Sequence, residues 1–360
     1  MENEVPAIES ALAVLIESGL CTVPSISEDF ARVSVDSHSV FVEMTPFRIE
    51  PQFVVRVWGW NDLRPWYDHV ADKEPIGEVW LSGDDCEVGT GPHVGKKLAQ
   101  VFSEHSLSLL GPEAASSGSP LLIKVIFARE KLSVQVHPDD RLAKKYGEPR
   151  GKTECWYTLA AEPDAKVALG LKPGVTLDRV KTEITDGTLE ESLNLLPVHV
   201  GDMIFVDAGT VHAIWPGSVL LETQQNSDLT YRMYDYGRPR PLHVDKSIEA
   251  TRLTTNAGIV PPRVLPDRTV LIESRYFSVE KIPVDVSRSS ATIRSHELNS
   301  PAFSYLFAAK GSGRITSPSF ESIDLPERGI VAIPASSPIF AIQDLGDLDL
   351  IRITARTPGE

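Results

Sequence analysis

From Pro46 onward the apolar residues come in short bursts, too brief for most helices and punctuated by Gly, Pro and Asp. FVVRVWGW (53–60), GEVWLSG (77–83), LLIKVIFA (121–128) and KLSVQVH (131–137) are rich in β-branched and aromatic residues, which read as strands joined by turns. The texture returns in VHVGDMIFVDAGTVHAI (198–214), SVLLETQQ (218–225) and TYRMYDYG (230–237). Helical spacing interrupts it in four places. Residues 93–110 form one predicted helix, and DRLAKKY (140–146) a short one. Residues 176–196 read as two helices divided at Asp186-Gly187, the second opened by a capping box of Thr188 and Glu191. LHVDKSIEA (242–250) is the last.

Two flanking regions differ from this middle. Residues 5–20 place Leu12, Leu15 and Ile16 on one side of a helix that Gly19 can end, and Val40–Glu43 reads as a strand. This N-terminal extension, 1–45, is expected to be a helix packed on the main body. A Pro-rich linker around 257–266 precedes a second all-β block: RYFSVEKIPV, SYLFAAKGSGRIT and RGIVAIPASSPIFAIQ. Gly329–Pro334 with its turn echoes Gly201–Ala208 with its turn. The expected architecture is mainly β: two tandem β-barrels or jelly rolls, 46–256 with helical insertions and 257–360 without.

Composition narrows the function. The chain has 360 residues, 42% hydrophobic and 24% charged, with a net charge of −15. That charge argues against nucleic-acid binding through the bulk field. A local basic patch can still hold an anionic substrate, because distant carboxylates are screened. No stretch is long enough to span a membrane, and the first twenty residues lack the basic start of a secretory signal. Three unevenly spaced cysteines (Cys21, Cys86, Cys155) fit neither a disulfide framework nor a thiolate metal site, so the expected compartment is the reducing cytoplasm. Cys155 is expected to pack. The oligomeric state stays open, with a monomer the expected form.

Candidate chemistry lies in the first barrel. Alternation along a strand puts Gln135 and His137 on one face, with Cα atoms roughly 6–7 Å apart, close enough to converge on one ion. Glu154 in GKTECWY and His212 after the Ala208-Gly209 turn supply further oxygen and nitrogen. An N, O, O, N set suits zinc with a water in an open position.

These segments together resemble the type I mannose-6-phosphate isomerases, zinc enzymes of the cupin superfamily, in their shorter bacterial form. The resemblance is carried by PLLIKVIFAREKLSVQVHPDD (120–140), GKTECWY (151–157), GDMIFVDAGTVHAI (201–214) and LLETQQNSDLTYRMYDYGR (220–238). It covers roughly residues 46–360. The resemblance implies one Zn²⁺ per chain on Gln135, His137, Glu154 and His212. It also implies Arg232 as an active-site cation, with Asp228 and Lys152 as further catalytic candidates and Ser133, Lys152 and Glu222 as substrate contacts. The implied reaction is the interconversion of mannose 6-phosphate and fructose 6-phosphate through an enediol. The base stays open among Asp228, Lys152, Glu222 and metal-bound water. An isomerase for an unphosphorylated sugar, or a cupin that binds a sugar phosphate without catalysis, would share the fold.

Three expectations follow. Phosphate contacts are expected from one or two of the cations after HPDD: Arg141, Lys144, Lys145, Arg150 and Lys152. Trp156, Tyr157 and Trp215 are expected to pack. Asp207 stands where the cupin pattern usually has Pro, a replacement that turn geometry tolerates. The second barrel lacks the Gln-x-His pair.

Overall fold

Period-two alternation in the strand Leu121–Phe127 organises the architecture. Its odd members Leu121, Ile123, Val125 and Phe127 enter one core, while Lys124 and Ile126 face the other way. The strand is the third from one end of a seven-stranded antiparallel sheet ordered 258–260, 203–206, 154–161, 218–225, 121–127, 76–80, 52–60. Both faces of this sheet are covered, which explains its long apolar runs. The computed structural model describes residues 42–112, 118–283, 302–356 and the backbone of 292–294.

On the even face packs a five-stranded sheet ordered 231–234, 134–136, 212–214, 166–171, 193–197. Trp156, Ile204 and Leu220 of the first sheet and Val167, Leu169 and Ile214 of the second fill the space between. The two sheets make the first jelly roll. On the odd face packs a nine-stranded sheet built from the strands of 263–355, with Phe47–Ile49 added at its edge against Ile330–Ile333. Phe277, Tyr305, Phe307 and Ile353 meet Ile123, Val125 and Tyr157 there, so the two barrels share a core. The described residues belong to one compact unit. The second barrel encloses its own interior around Leu306, Ile315, Val331 and Ile342.

The mainly β tandem cupin architecture with helical insertions is therefore present, and local readings shift within it. The first insertion helix runs over Leu98–Leu110, later than its predicted start. Helices at Asp140–Lys145, Leu177–Asp186 and Val244–Ala250 match their periodicity. The expected capping box does not form: the Thr188 side chain makes no cap hydrogen bond, and only a 3₁₀ turn, Leu189–Ser192, follows before Leu193–Pro197 becomes a strand beside Lys166–Leu171. Pairing on an open sheet edge overrides the helical spacing there. The 257–266 segment contains two short strands, Gly258–Val260 and Arg263–Val264, each paired. Val42 and Glu43 carry no regular structure, and the helix expected over 5–20 lies outside the described residues. Among the described residues no helix is long and apolar enough to cross a membrane.

Phe127 carries much of the shared core. It is 0% exposed and meets Trp60, Trp66 and Tyr67 edge-on at 5.6, 6.0 and 6.2 Å. Phe127→Ala is expected to destabilise the fold by about 3–5 kcal/mol, from lost burial plus the cavity left behind. The check is the midpoint of a urea unfolding curve.

Candidate metal centre and active-site cavity

Strand register assembles the site. In the five-stranded sheet Gln135 pairs with His212 on one side and with Arg232 on the other. Three polar side chains thus stand in a row on one face, while Val134 and Val136 bury themselves behind it. In the facing sheet Glu154 pairs with Gln224, and Glu222 with both Trp156 and Lys124. His137 follows the strand Val134–Val136 directly. The Ala208-Gly209 turn ties the two histidine segments together. Gly209 has φ +93° and its N–H donates to the His137 carbonyl at 2.8 Å. A Cβ there would lie 2.7 Å from Arg252 Cγ, so glycine is required for both conformation and space. Asp207 accepts from the Thr210 hydroxyl at 2.9 Å and from the Asn256 N–H at 3.2 Å, which stabilises the turn that proline would otherwise stiffen.

Both imidazoles are oriented from behind. His137 Nδ1 donates to the Leu229 carbonyl at 2.8 Å, and His212 Nδ1 donates to the Thr210 carbonyl at 2.9 Å. A carbonyl can only accept, so each ring carries its proton on Nδ1 and turns an Nε2 lone pair inward. Those lone pairs meet at Glu154: His137 Nε2 is 3.5 Å from Oε2 and His212 Nε2 is 3.4 Å from Oε1. All three residues are 1% exposed. Burial lowers the pKa of His212 to about 4 and that of His137 well below its ordinary value, so both rings stay neutral. Among the described residues, these three are the group of His, Cys, Asp or Glu side chains near enough to share an ion, with donor atoms within 4.8 Å of one another.

The donor set fits a divalent metal. The Lys152 ammonium lies 3.1 Å from His137 Nε2 and 2.6 Å from Glu154 Oε2, a positive charge on the acceptors an ion would use. Gln135 joins the group through its amide. Its Nε2 is 3.2 Å from His212 Nε2, and its Oε1 accepts from the Ser133 hydroxyl at 3.2 Å. A half-turn of that amide exchanges the two atoms and still leaves Ser133 a partner, so the oxygen can face the imidazole group.

The cavity beside these groups measures about 330 Å³. A chain of alternating charges crosses its floor. Arg56 pairs with Glu78 at 2.9 Å, Glu78 with Lys124 at 3.6 Å, and Lys124 with Glu222 at 3.5 Å. Glu222 then meets Lys152 at 3.3 Å, and Lys152 meets Glu154. Burial opposes the Lys152 charge, but Glu154 and Glu222 overcome it and hold the ammonium above the usual lysine range. Burial, and then the Glu154 charge, pushes Glu222 up to about 7. Ser133, Asp228 and Arg232 also line the cavity.

The basic rim differs from the expected one. Arg141, Lys144 and Lys145 are exposed, and Lys145 pairs with Glu249. Arg150 donates to the Ser119 and Pro120 carbonyls. Of the five cations after HPDD, only Lys152 reaches the cavity. The helix turns Ala143 inward and its charges outward. The rim cations are instead Arg56, Arg232 and Arg240, with His243 beside them. Burial, and then the Arg240 charge, lowers the Arg232 pKa, and the Arg56 charge acts in the same direction. His243 Nδ1 accepts the Arg232 backbone N–H at 3.1 Å, so its proton sits on Nε2. Trp156, Tyr157 and Trp215 pack in cores as expected, Trp156 also bordering the cavity edge-on to His212, and Cys155 is a buried free thiol.

Residues 47–173 match the family described as phosphomannose isomerase type I, catalytic domain. The chain is 34% identical over 285 residues to the probable mannose-6-phosphate isomerase GmuF of Bacillus subtilis (strain 168), covering 75% of this chain and 87% of that protein. It is 33% identical over 284 residues to the mannose-6-phosphate isomerase of Streptococcus mutans, with the same shares covered, 75% and 87%. The crystal structure of the mannose 6-phosphate isomerase from Bacillus subtilis superposes with a TM-score of 0.75 at 29% identity, over 87% of this chain and 100% of that one. A variant phosphomannose isomerase from Salmonella typhimurium, at 16% identity and a TM-score of 0.70 over 87% and 100% of the two chains, shares the fold.

Proposed function

Since the chain belongs to the type I mannose-6-phosphate isomerases, we propose that it interconverts mannose 6-phosphate and fructose 6-phosphate through an enediol, with one zinc ion on Gln135, His137, Glu154 and His212. The observation that carries the metal reading is the pair of Nε2 lone pairs aimed at one buried carboxylate. Two neutral imidazoles with oxygen donors match zinc's preferences. A metal bound there would supply Lewis-acid polarisation of the sugar's oxygens.

The side chains around it supply the rest. Moving a proton between C1 and C2 builds negative charge on the adjacent oxygens. Arg232, always a cation, stabilises that charge, and the Lys152 ammonium donates to the same oxygens. Glu78, Glu222 and Asp228 are the carboxylates of the cavity wall outside the ligand set; Glu78 is paired with both Arg56 and Lys124, and Glu222 or Asp228 carries the proton. Ser133, 3% exposed and bonded to Gln135, donates to a sugar oxygen or holds the amide in place. The buried free thiols Cys86 and Cys155 suit a reducing compartment, and the cytoplasm is the proposed location.

Phosphate recognition falls to Arg56, Arg240 and His243 at the rim, since Nε2–H of His243 and the guanidinium N–H groups all donate. Arg56→Ala is expected to raise KM for mannose 6-phosphate about tenfold to a hundredfold, the worth of one or two charge-assisted hydrogen bonds. KM for free mannose should hardly move. Equal effects on both sugars would take Arg56 off the phosphate. The reading as a whole is tested by a coupled assay on mannose 6-phosphate and mannose, with and without a chelator. Chelator-sensitive turnover of the phosphorylated sugar is expected. Faster turnover of free mannose would shift the substrate, and activity on neither would leave a binding protein.

A further inference from the structure

We propose that Asp140 is a positioning residue for the loop that carries Lys152 and Glu154, and that Tyr276 of the second barrel holds it in that role. The kinetic part of this inference rests on the isomerase reading, and the metal-release part on the zinc site proposed with it.

Asp140 opens the helix after HPDD, and its carboxylate accepts three hydrogen bonds. Oδ1 receives the Gly151 N–H at 2.8 Å and the Gln225 Nε2–H at 2.9 Å, and Oδ2 receives the Tyr276 hydroxyl at 2.7 Å. Gln225 passes the tether on. Its Oε1 accepts the Thr153 N–H at 2.9 Å, and its own N–H donates to the Thr153 carbonyl at 3.1 Å. Lys152 N–H donates to the Pro138 carbonyl at 3.1 Å. The backbone of 151–153 is thus fixed at every residue, and the side chains of Lys152 and Glu154 are left to face the histidines. The approach is close: a Cβ on Gly151 would sit 2.6 Å from the Pro138 oxygen and 2.7 Å from the Asp140 nitrogen. Partial burial works against the Asp140 charge, yet the bonds from Gly151, Gln225 and Tyr276 hold its pKa below the ordinary value.

Tyr276 is anchored elsewhere. It precedes the strand Phe277–Ile282 of the nine-stranded sheet, its N–H donates to the Ser274 hydroxyl at 3.2 Å, and its carbonyl accepts the Arg356 N–H at 2.9 Å. One hydroxyl from the second barrel therefore reaches the loop that bears a proposed ligand of the first. Outer partners that orient a ligand are commonly worth 10–100-fold in metal affinity or activity.

The test uses full-length, zinc-loaded protein with Tyr276→Phe, Asp140→Asn and the double variant. Zinc release into excess chelator, kcat, KM and the thermal midpoint are measured. Each single variant is expected to release zinc about tenfold faster and to lower kcat with KM little changed. The double variant should add little, because both act through one hydrogen bond. Tyr276→Phe removes only an oxygen, so it keeps the test open if Asp140→Asn folds poorly. Zinc release at the wild-type rate with a lowered thermal midpoint would make Tyr276 a strut and overturn the proposal. A raised KM at unchanged kcat would overturn it too, by making the effect one of substrate contact. Wild-type protein that held zinc but turned over no sugar would sink the isomerase reading, and the release rates would still decide the clamp.

Discussion

His212→Ala is expected to abolish tight zinc binding and to reduce turnover by about a thousandfold or more. The magnitude follows from the Lewis-acid contribution of a bound metal, several kcal/mol, at 1.36 kcal/mol per decade of rate. The geometry makes His212 hard to replace. Its ring is locked by the Thr210 carbonyl, its Nε2 stands 3.4 Å from Glu154 Oε1, and its strand neighbour is Gln135. Alanine removes one of two nitrogen donors and leaves nothing else on that strand to take its place, because Ala213 and Ile214 are apolar. The fold should survive, since the buried imidazole packs among the polar groups of the site and outside the hydrophobic core clusters. A ligand that binds only the native state stabilises it by mass action, about 2.7 kcal/mol at a hundredfold excess over Kd. Zinc should therefore raise the thermal midpoint of the wild-type protein and not that of His212→Ala. Metal content after dialysis and the zinc-dependent shift in midpoint are the measurements. A variant that kept both the metal and its turnover would remove His212 from the ligand set.

Much of this arrangement was legible along the chain, and the exceptions have physical causes. Short β-branched and aromatic runs identified the strands because the seven-stranded sheet is buried on both faces, and alternation put Gln135 and His137 on one side. The helical spacing of 188–196 misled because a free sheet edge at 166–171 offered pairing that a short isolated helix could not match. Four of the five cations after HPDD lie away from the cavity for a related reason. Charges dense in sequence, as in DRLAKKY, spread around a helix, while Arg56 and Arg240 come from an edge strand and a distant loop that only the closed barrel brings together. One signal lay within reach. Glu78, Lys124 and Glu222 are single charges set in otherwise uncharged, buried strands, each at most 6% exposed. A charge in such a run is buried only when it is paired, so three of them on neighbouring strands foretell an ion-pair ladder. Gly151 and Gln225 gave no such warning, since a backbone tether depends on where two loops cross.

Arg232→Ala is expected to keep zinc and lose roughly 10²–10³ in kcat, as when other donors to a developing oxyanion are removed. Its place in the site supports this division. Arg232 pairs with Gln135 in register, one strand away from the ligand row. Its backbone is clamped by His243, with N–H to Nδ1 at 3.1 Å and carbonyl to the His243 N–H at 2.7 Å. One guanidinium nitrogen, Nη1, donates to the Pro241 carbonyl at 3.1 Å. Nε makes no hydrogen bond among the described residues although it is buried. A fork held this way is oriented in advance, so little reorganisation is needed when charge develops on a sugar oxygen. Arg232→Lys keeps the charge and loses the planar fork, so it should recover only part of the rate. The split between constants decides the role. A group that acts on the transition state lowers kcat, whereas one that serves only the phosphate raises KM. Unchanged kcat with a raised KM would move Arg232 to the rim beside Arg56. Loss of zinc would mean that its strand position supports Gln135 rather than the reacting oxygens.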